Sequence, residues 1–386
     1  MKHPLTREEL LRRAAFGAAL ASIPGFAAAC GGSSSSSGSS SGSTQKLADT
    51  LRFSNWPLYI DIDEKTKSHP TLDAFTKKTG VKVDYTEDIN SNSEYFGKIQ
   101  GPLSRGQSIN KDIIVLTDNE QYLSLMIEKG WAEKLDKDVI TNITNLVDVQ
   151  QHPGFDPNRE YTLPWQSGMT GIAYNPKLTK PILSIDQLFE DKSLKGQITA
   201  LNGFGDTLGL VILANGDDPS KITDESFKRA LDRVKAASDS GQIRQFTGNE
   251  YAGPLSKGDL KACIAWSGDI VQLLPDNPDL KWNIPAAGGI IWTDNMLIPK
   301  GGDAYTASTY MNYVYIPAVA AKIAAYIQYV TPVKGTKQVL AKTDPELANN
   351  QLIFPTEATL SRVHQIDPAA LKNQSYSEQW QAVLGA

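Results

Sequence analysis

The sequence is poor in the residues that most enzymes and metal sites depend on. It holds four histidines and two cysteines in 386 residues. The histidines are His3, His69, His152 and His364, each far from the others and from either cysteine, which argues against a metal site. No G-x-S-x-G elbow and no H-E-x-x-H is present. Past residue 29 no long apolar run occurs, so nothing there has the length of a membrane-spanning helix. Positive charge is in short supply as well. Lys and Arg total 38 against 43 Asp and Glu, and without the four basic and two acidic residues of the first 29 the balance is −7. Nucleic acid is a poor partner for such a chain, because phosphate binding needs clustered Lys and Arg. A cationic ligand fits the sign, although net charge by itself defines no site.

What the first residues contain is an export layout. Arg12 and Arg13 precede an apolar stretch from Ala14 to Ala29, and small residues lead into Cys30. A cysteine in that place resembles a bacterial lipobox. The resemblance implies that 1–29 is a lipoprotein export signal and that Cys30 is lipidated. A transmembrane anchor is the competing reading, but a span needs about 20 apolar residues and Pro24 interrupts this stretch. The arginine pair fits the twin-arginine route. Leu11 stands where Ser or Thr is usual and Phe16 lies one place late, so general export stays open beside it. Cys30 and the Gly/Ser-rich run after it, 30–45, read as an anchor and a leash. The run 31–44 has a root-mean-square span of about 20 Å. With Cys30 lipidated, Cys263 has no partner for an intramolecular disulfide. It lies in the apolar run 262–266 and reads as a buried, inert thiol.

The body alternates strand and helix signals. Strands are expected over 51–53, 81–85 and 112–116, with helices over 71–79 and 121–129 stopped by Gly80 and Gly130. A second unit begins near Thr170, with strands over 171–174, 196–201, 260–265 and 288–299 and helices over 223–238 and 317–330. This rhythm predicts an α/β fold with mainly parallel sheets and helices on both faces. Ligands in such folds sit beyond the carboxyl ends of strands, which directs attention to the segments 54–59 and 117–119.

Trp56, Trp165, Trp266 and Trp292 fall at expected strand ends. Any one of them reads as core packing. Two have acids close by, however, in Trp266-Ser267-Gly268-Asp269 and Trp292-Thr293-Asp294. On a strand, Trp292 and Asp294 share a face. An indole wall attracts organic cations, and a carboxylate accepts from ammonium N–H groups. The segment Gly203-Phe204-Gly205-Asp206-Thr207-Leu208-Gly209 is similar in outline to a dinucleotide fingerprint, but has one residue too many before the last glycine. It reads instead as a loop bringing Asp206 to a ligand, or as an acid favouring a helix N-terminus. No cofactor is indicated.

With these residues assembled, the chain resembles the spermidine/putrescine-binding proteins of bacterial ABC importers over about 50–386. The resemblance rests on Asn55-Trp56-x-x-Tyr59, on the run from Phe75 to Val83, on Gly288-Gly289-Ile290-Ile291-Trp292-x-Asp294, and on Trp380-Gln381. It implies a two-lobed periplasmic-binding-protein clamp, with lobe one over 46–168 and 293–334 and lobe two over 169–292 and 335–386. It implies ligand contacts from Trp56, Tyr59, Thr117, Asp206, Trp266, Asp269, Trp292, Asp294, Tyr329 and Gln381. Leu58 and Gly203 stand where spermidine binders carry acids, which favours putrescine over spermidine. Asp118 is a candidate to compensate. The implied protein is a monomeric receptor rather than an enzyme. It would act in the periplasmic space or on the outer face of the cytoplasmic membrane and serve a membrane permease. Two rivals remain: the same clamp holding an opine-like or amino-sugar compound, and a secreted enzyme using Asp206 or Asp269 as general base.

Overall fold

The computed structural model describes residues 45–385; the export segment, Cys30 and the leash lie outside the described residues. Two parallel wings are joined by two long strands. In the first wing β1 (Thr50–Asn55) pairs in parallel with β2 (Lys82–Glu87) and β3 (Ile113–Thr117), and a short β4 (Ala132–Glu133) lies at its rim. The second wing follows β5 (Thr162–Tyr174). There β6 (Ile198–Leu201) pairs in parallel with β7 (Ile243–Thr247) and β8 (Ala262–Trp266). The chain closes with β9 (Lys281–Asn283), β10 (Gly289–Pro299) and β11 (Val363–His364). The main path reads β2-β1-β3-β10-β5-β8-β6-β7.

The α/β clamp expected from the sequence is present, with one difference in its sheet. The centre is antiparallel, because β5 leaves the first wing and β10 returns to it. β5 pairs with β10 over 162–170 and with β8 over 170–174. β10 pairs with β5 from Ile290, then also with β3 from Asp294 to Leu297. A register shift sits at Asp294/Asn295, opposite Pro164 and Gln166, so Trp165 is the extra residue. Such a bulge bends the strand and re-aims the neighbouring side chains. Trp165 turns into the first wing's core, with its ring centroid 5.9 Å from that of Phe53.

Local chemistry explains most elements. The helix Pro70–Thr79 begins with proline in its first turn and ends at Gly80, whose φ of 81° suits a glycine C-cap. The helix Asp224–Asp239 has a capping box between Thr223 and Ser226 and buries Phe227, Ala230, Leu231 and Val234 on one stripe. The helix Asn92–Ser104 was not expected from the sequence. It contains Gly97, Gly101 and Pro102, all poor helix formers. What holds it is the buried face of Tyr95, Phe96, Ile99 and Leu103, together with the Ser91 cap on the Glu94 N–H. Cys263 is buried, as the sequence indicates, and burial pushes its thiol well above the usual range. A small apolar cluster joins Ala321 and Ala324 to Leu340, Leu347 and Ile353, across the point where the lobes were expected to change over. No helix among the described residues is long and apolar enough to cross a membrane.

Gly168 stands opposite Trp292 in the register of the crossing strands. A Cβ there would lie 2.4 Å from the Trp292 ring and 2.8 Å from the Tyr329 ring. Gly168→Ala is expected to lower unfolding free energy by about 1–3 kcal/mol. Urea denaturation measures this, and an unchanged midpoint would show that the rings move aside freely.

Candidate functional site

The crossing strands bring the loops at the carboxyl ends of both wings around one cavity of about 20 Å³, lined by Trp56, Tyr59, Thr117, Asp206, Trp266, Asp269, Trp292, Asp294 and Tyr329. Nine of the ten expected ligand contacts therefore meet. Gln381 does not. It is exposed on the helix Gln374–Leu384, whose inward face is taken by Tyr376, Trp380 and Val383. Trp380 is fixed there by its indole N–H to Asn202 O at 2.8 Å. The next position is rotated about 100° away. Asn92, Asn119 and Asn249 line the cavity too. Asn119 lies in a loop the strand-end rule points to, whereas Asn92 belongs to the helix the sequence hid.

The aromatic residues form a continuous belt. Ring centroids are 5.6 Å apart for Trp56 and Trp266, 6.2 Å for Trp266 and Trp292, 5.9 Å for Trp292 and Tyr329, and 5.0 Å for Tyr329 and Tyr59. The pairs are edge-on or tilted, geometry that favours ring quadrupoles. The Trp56 indole N–H donates to Val115 O at 3.2 Å, and the Trp292 indole N–H to Thr170 Oγ1 at 2.9 Å.

Three carboxylates interrupt the belt, and no lysine, arginine or histidine lines the cavity. Asp294 accepts from Tyr59 O–H and Thr117 O–H, each at 2.6 Å. Asp269 accepts from Tyr329, Tyr251 and Asn249, each at 2.7 Å. Asp206 lies in the first turn of the helix Phe204–Ala214. It accepts from Thr170, from Asn119 at 3.2 Å and from Trp266 at 3.3 Å. Burial raises all three carboxyls. Asp294 is pushed up to about 7, the hydrogen bonds from Thr117 and Tyr59 opposing the shift. Asp206 is pushed up to about 6, and Asp269 upward as well. Neutral donors orient these groups without cancelling their charge.

One departure from the resemblance and its candidate compensation are also placed. Leu58 does not line the cavity; its φ is 56°, and its N–H donates to Glu87 at 3.2 Å. Asp118 does not compensate within the cavity, because it accepts from Thr293 N–H at 2.8 Å where β10 passes β3. Backbone approaches backbone closely across the cleft at two points. A Cβ on Gly205 would lie 2.4 Å from Asn119 O, and one on Gly248 2.2 Å from Asn90 O. Asn249 N–H donates to Asn90 O at 3.2 Å beside the second point.

The raised carboxyls carry a pH consequence. The folded chain holds protons that the unfolded chain has released, so Asp206 and Asp294 oppose folding as pH rises from about 4 to about 7. Asp294→Asn removes one such group. Its melting temperature is expected to gain on that of the parent protein between about pH 5 and pH 7.5. A difference that stays constant over that range would mean that Asp294 does not titrate there.

Comparison with known proteins identifies the family. The family model described as bacterial extracellular solute-binding protein matches residues 71–355. The spermidine/putrescine-binding periplasmic protein of Salmonella typhimurium is 27% identical over 348 residues, covering 86% of this chain and 91% of that protein. The putrescine-binding periplasmic protein SpuD of Pseudomonas aeruginosa is 25% identical over 344 residues, covering 84% and 88%. Two solved structures share the fold. The spermidine/putrescine ABC transporter substrate-binding protein PotD of Streptococcus pneumoniae has a TM-score of 0.66 at 23% identity, over 87% of this chain and all of that one. AgtB of A. tumefaciens R10, in complex with agropinic acid, has a TM-score of 0.72 at 17% identity, over 88% of this chain and all of that one. Matched over most of its length, the chain belongs to the bacterial extracellular solute-binding protein family, a family of solute binders rather than enzymes.

Proposed function

We propose that the protein is a lipid-anchored receptor outside the cytoplasmic membrane. It closes two lobes on a polyamine and presents it to the permease of an ABC importer. The observation that carries this reading is the buried, aromatic-belted cavity with three carboxylates and no basic residue. A diamine supplies what such a cavity lacks: cationic ends for the acids and methylenes for the rings. One ammonium is assigned to Asp294 with Tyr59 and Thr117, and the other to Asp206. Asp269, already holding three donors, anchors Tyr329 against the ligand's flank. The names of the relatives support polyamine as the cargo.

Lobe one takes 46–168 with 293–334, and lobe two takes 169–292 with 335–386. The pairing of β5 and β10 supports the changeovers at 168–169 and 292–293. With about 20 Å³ between the rings, even a diamine needs the lobes to part before it enters. The ligand then shifts the balance toward closure by touching both lobes. Putrescine is favoured over spermidine, because Leu58 and Gly203 stand where spermidine binders carry acids. Lipidation at Cys30 holds the receptor to the membrane, its leash letting the closed lobes reach the permease.

Calorimetric titration with putrescine, spermidine and a monoamine tests the cargo. Putrescine is expected to bind tightest and the monoamine weakest, with Asp294→Asn losing at least about 1.5 kcal/mol for putrescine. A folded protein that binds none of the three would move the cargo to another class of solute. The anchor has its own test: Cys30→Ser is expected to shift the protein from the membrane fraction to the soluble one, and retention on the membrane would overturn it.

A further inference from the structure

Asp206 directs all its hydrogen bonds to one oxygen. Thr170, Asn119 and Trp266 each donate to Oδ1. Oδ2 turns toward Gly203 and lies 2.5 Å from where a Cβ on that residue would stand. Glu120 Oε1 lies 3.5 Å from the same point, so the two oxygens are no more than about 6 Å apart. Both residues are buried, Asp206 at 3% exposure and Glu120 at 7%. Glu120 receives a hydrogen bond from Asn92 Nδ2 at 2.8 Å, also on Oε1. Beside them Asn119 Oδ1 is buried and accepts no hydrogen bond. Glu120 and Asn119 come from the loop after β3, Gly203 and Asp206 from the N-cap and first turn of the helix after β6, so the acids face each other across the cleft. A side chain at Gly203 would collide with the Asp206 carboxylate and push it from Glu120.

We propose that Glu120 and Asp206 jointly grip one ammonium group of the ligand, one carboxylate from each wing, where the two acids meet beside Gly203. The inference rests on the polyamine reading. An ammonium has three N–H donors, and Asp206 Oδ2, the Glu120 carboxylate and Asn119 Oδ1 are acceptors with capacity to spare. The pair also ties closure to charge. Two facing carboxyls are costly to ionise together once dried, and a cation between them favours the ionised form. The titratable groups that bear on Glu120 are Asp206 and the Tyr122 phenol. Burial pushes Glu120 up to about 8, with Asp206 adding to the shift. Near neutral pH the Glu120 carboxyl thus holds a proton, which an arriving ammonium displaces to solvent.

The test is putrescine titration at about pH 7 in two buffers of different ionisation enthalpy, which counts the protons released on binding. Glu120→Gln keeps an acceptor for Asn92 and nearly the same shape, and its melting temperature reports that it is folded. It is expected to bind putrescine at least about tenfold more weakly and to release fewer protons than the parent protein. Glu120→Asp keeps the charge on a shorter stem and is expected to fall between the two in affinity while still releasing the proton. Parental affinity in Glu120→Gln, or weaker binding with undiminished proton release, overturns the inference while leaving the polyamine reading intact. Failure of the folded parent protein to bind any amine overturns that reading, and this inference with it.

Discussion

The antiparallel pairing of β5 and β10 is the constraint from which the rest of the cleft follows. Each wing is an ordinary parallel α/β sheet whose loops at the carboxyl ends of the strands gather at one edge. Only the two long strands belong to both. Their register sets Trp292 opposite Gly168, and the bulge at Asp294/Asn295 falls opposite Pro164, which has no N–H to offer a ladder. The same strands carry Thr170, whose hydroxyl ties the Trp292 indole to Asp206. A shift of one residue in this pairing would turn every one of these side chains to the other face.

The electrostatic character of the cavity follows from what surrounds these strands. Tyr59, Tyr251, Tyr329 and Thr117 present hydroxyls to buried carboxylates. Hydroxyl donors lower the cost of burying an ionised acid, but burial still wins, as the raised Asp206 and Asp294 show. The acids are thus fixed in direction by the fold and left short of positive charge. A cation that enters meets acceptors already oriented, so little ordering remains to be done at the moment of binding.

Much of this was legible in the sequence, and the exceptions have physical reasons. Gly80 and Gly130 mark helix ends that the structure reproduces within a residue or two. The pocket tryptophans and acids could be read because indole and carboxylate close together have few common structural uses. The first half of β5 was hidden, since Pro164 and Gly168 both weaken a strand signal. The helix after Ser91 was hidden by its glycines and proline, and Asn92 with it. Gln381 misled because membership of a helix does not say which way a residue faces; the burial of Trp380 decides that. Glu120 could not be read at all. Its closeness to Asp206 appears only in the fold, beside residue 203, eighty-odd places on and in the other wing.

The two close approaches at Gly205 and Gly248 have a further consequence. They are backbone to backbone, Gly205 against Asn119 O and Gly248 against Asn90 O. Hard stops of this kind make the closed outline a property of the main chain rather than of the cargo. A solute that fits lets both stops seat; one slightly too large holds both apart. In the receptor proposed above, the clamp would work as a go/no-go gauge, and a permease reading its closed shape would receive a yes or a no, not a graded report of what lies inside.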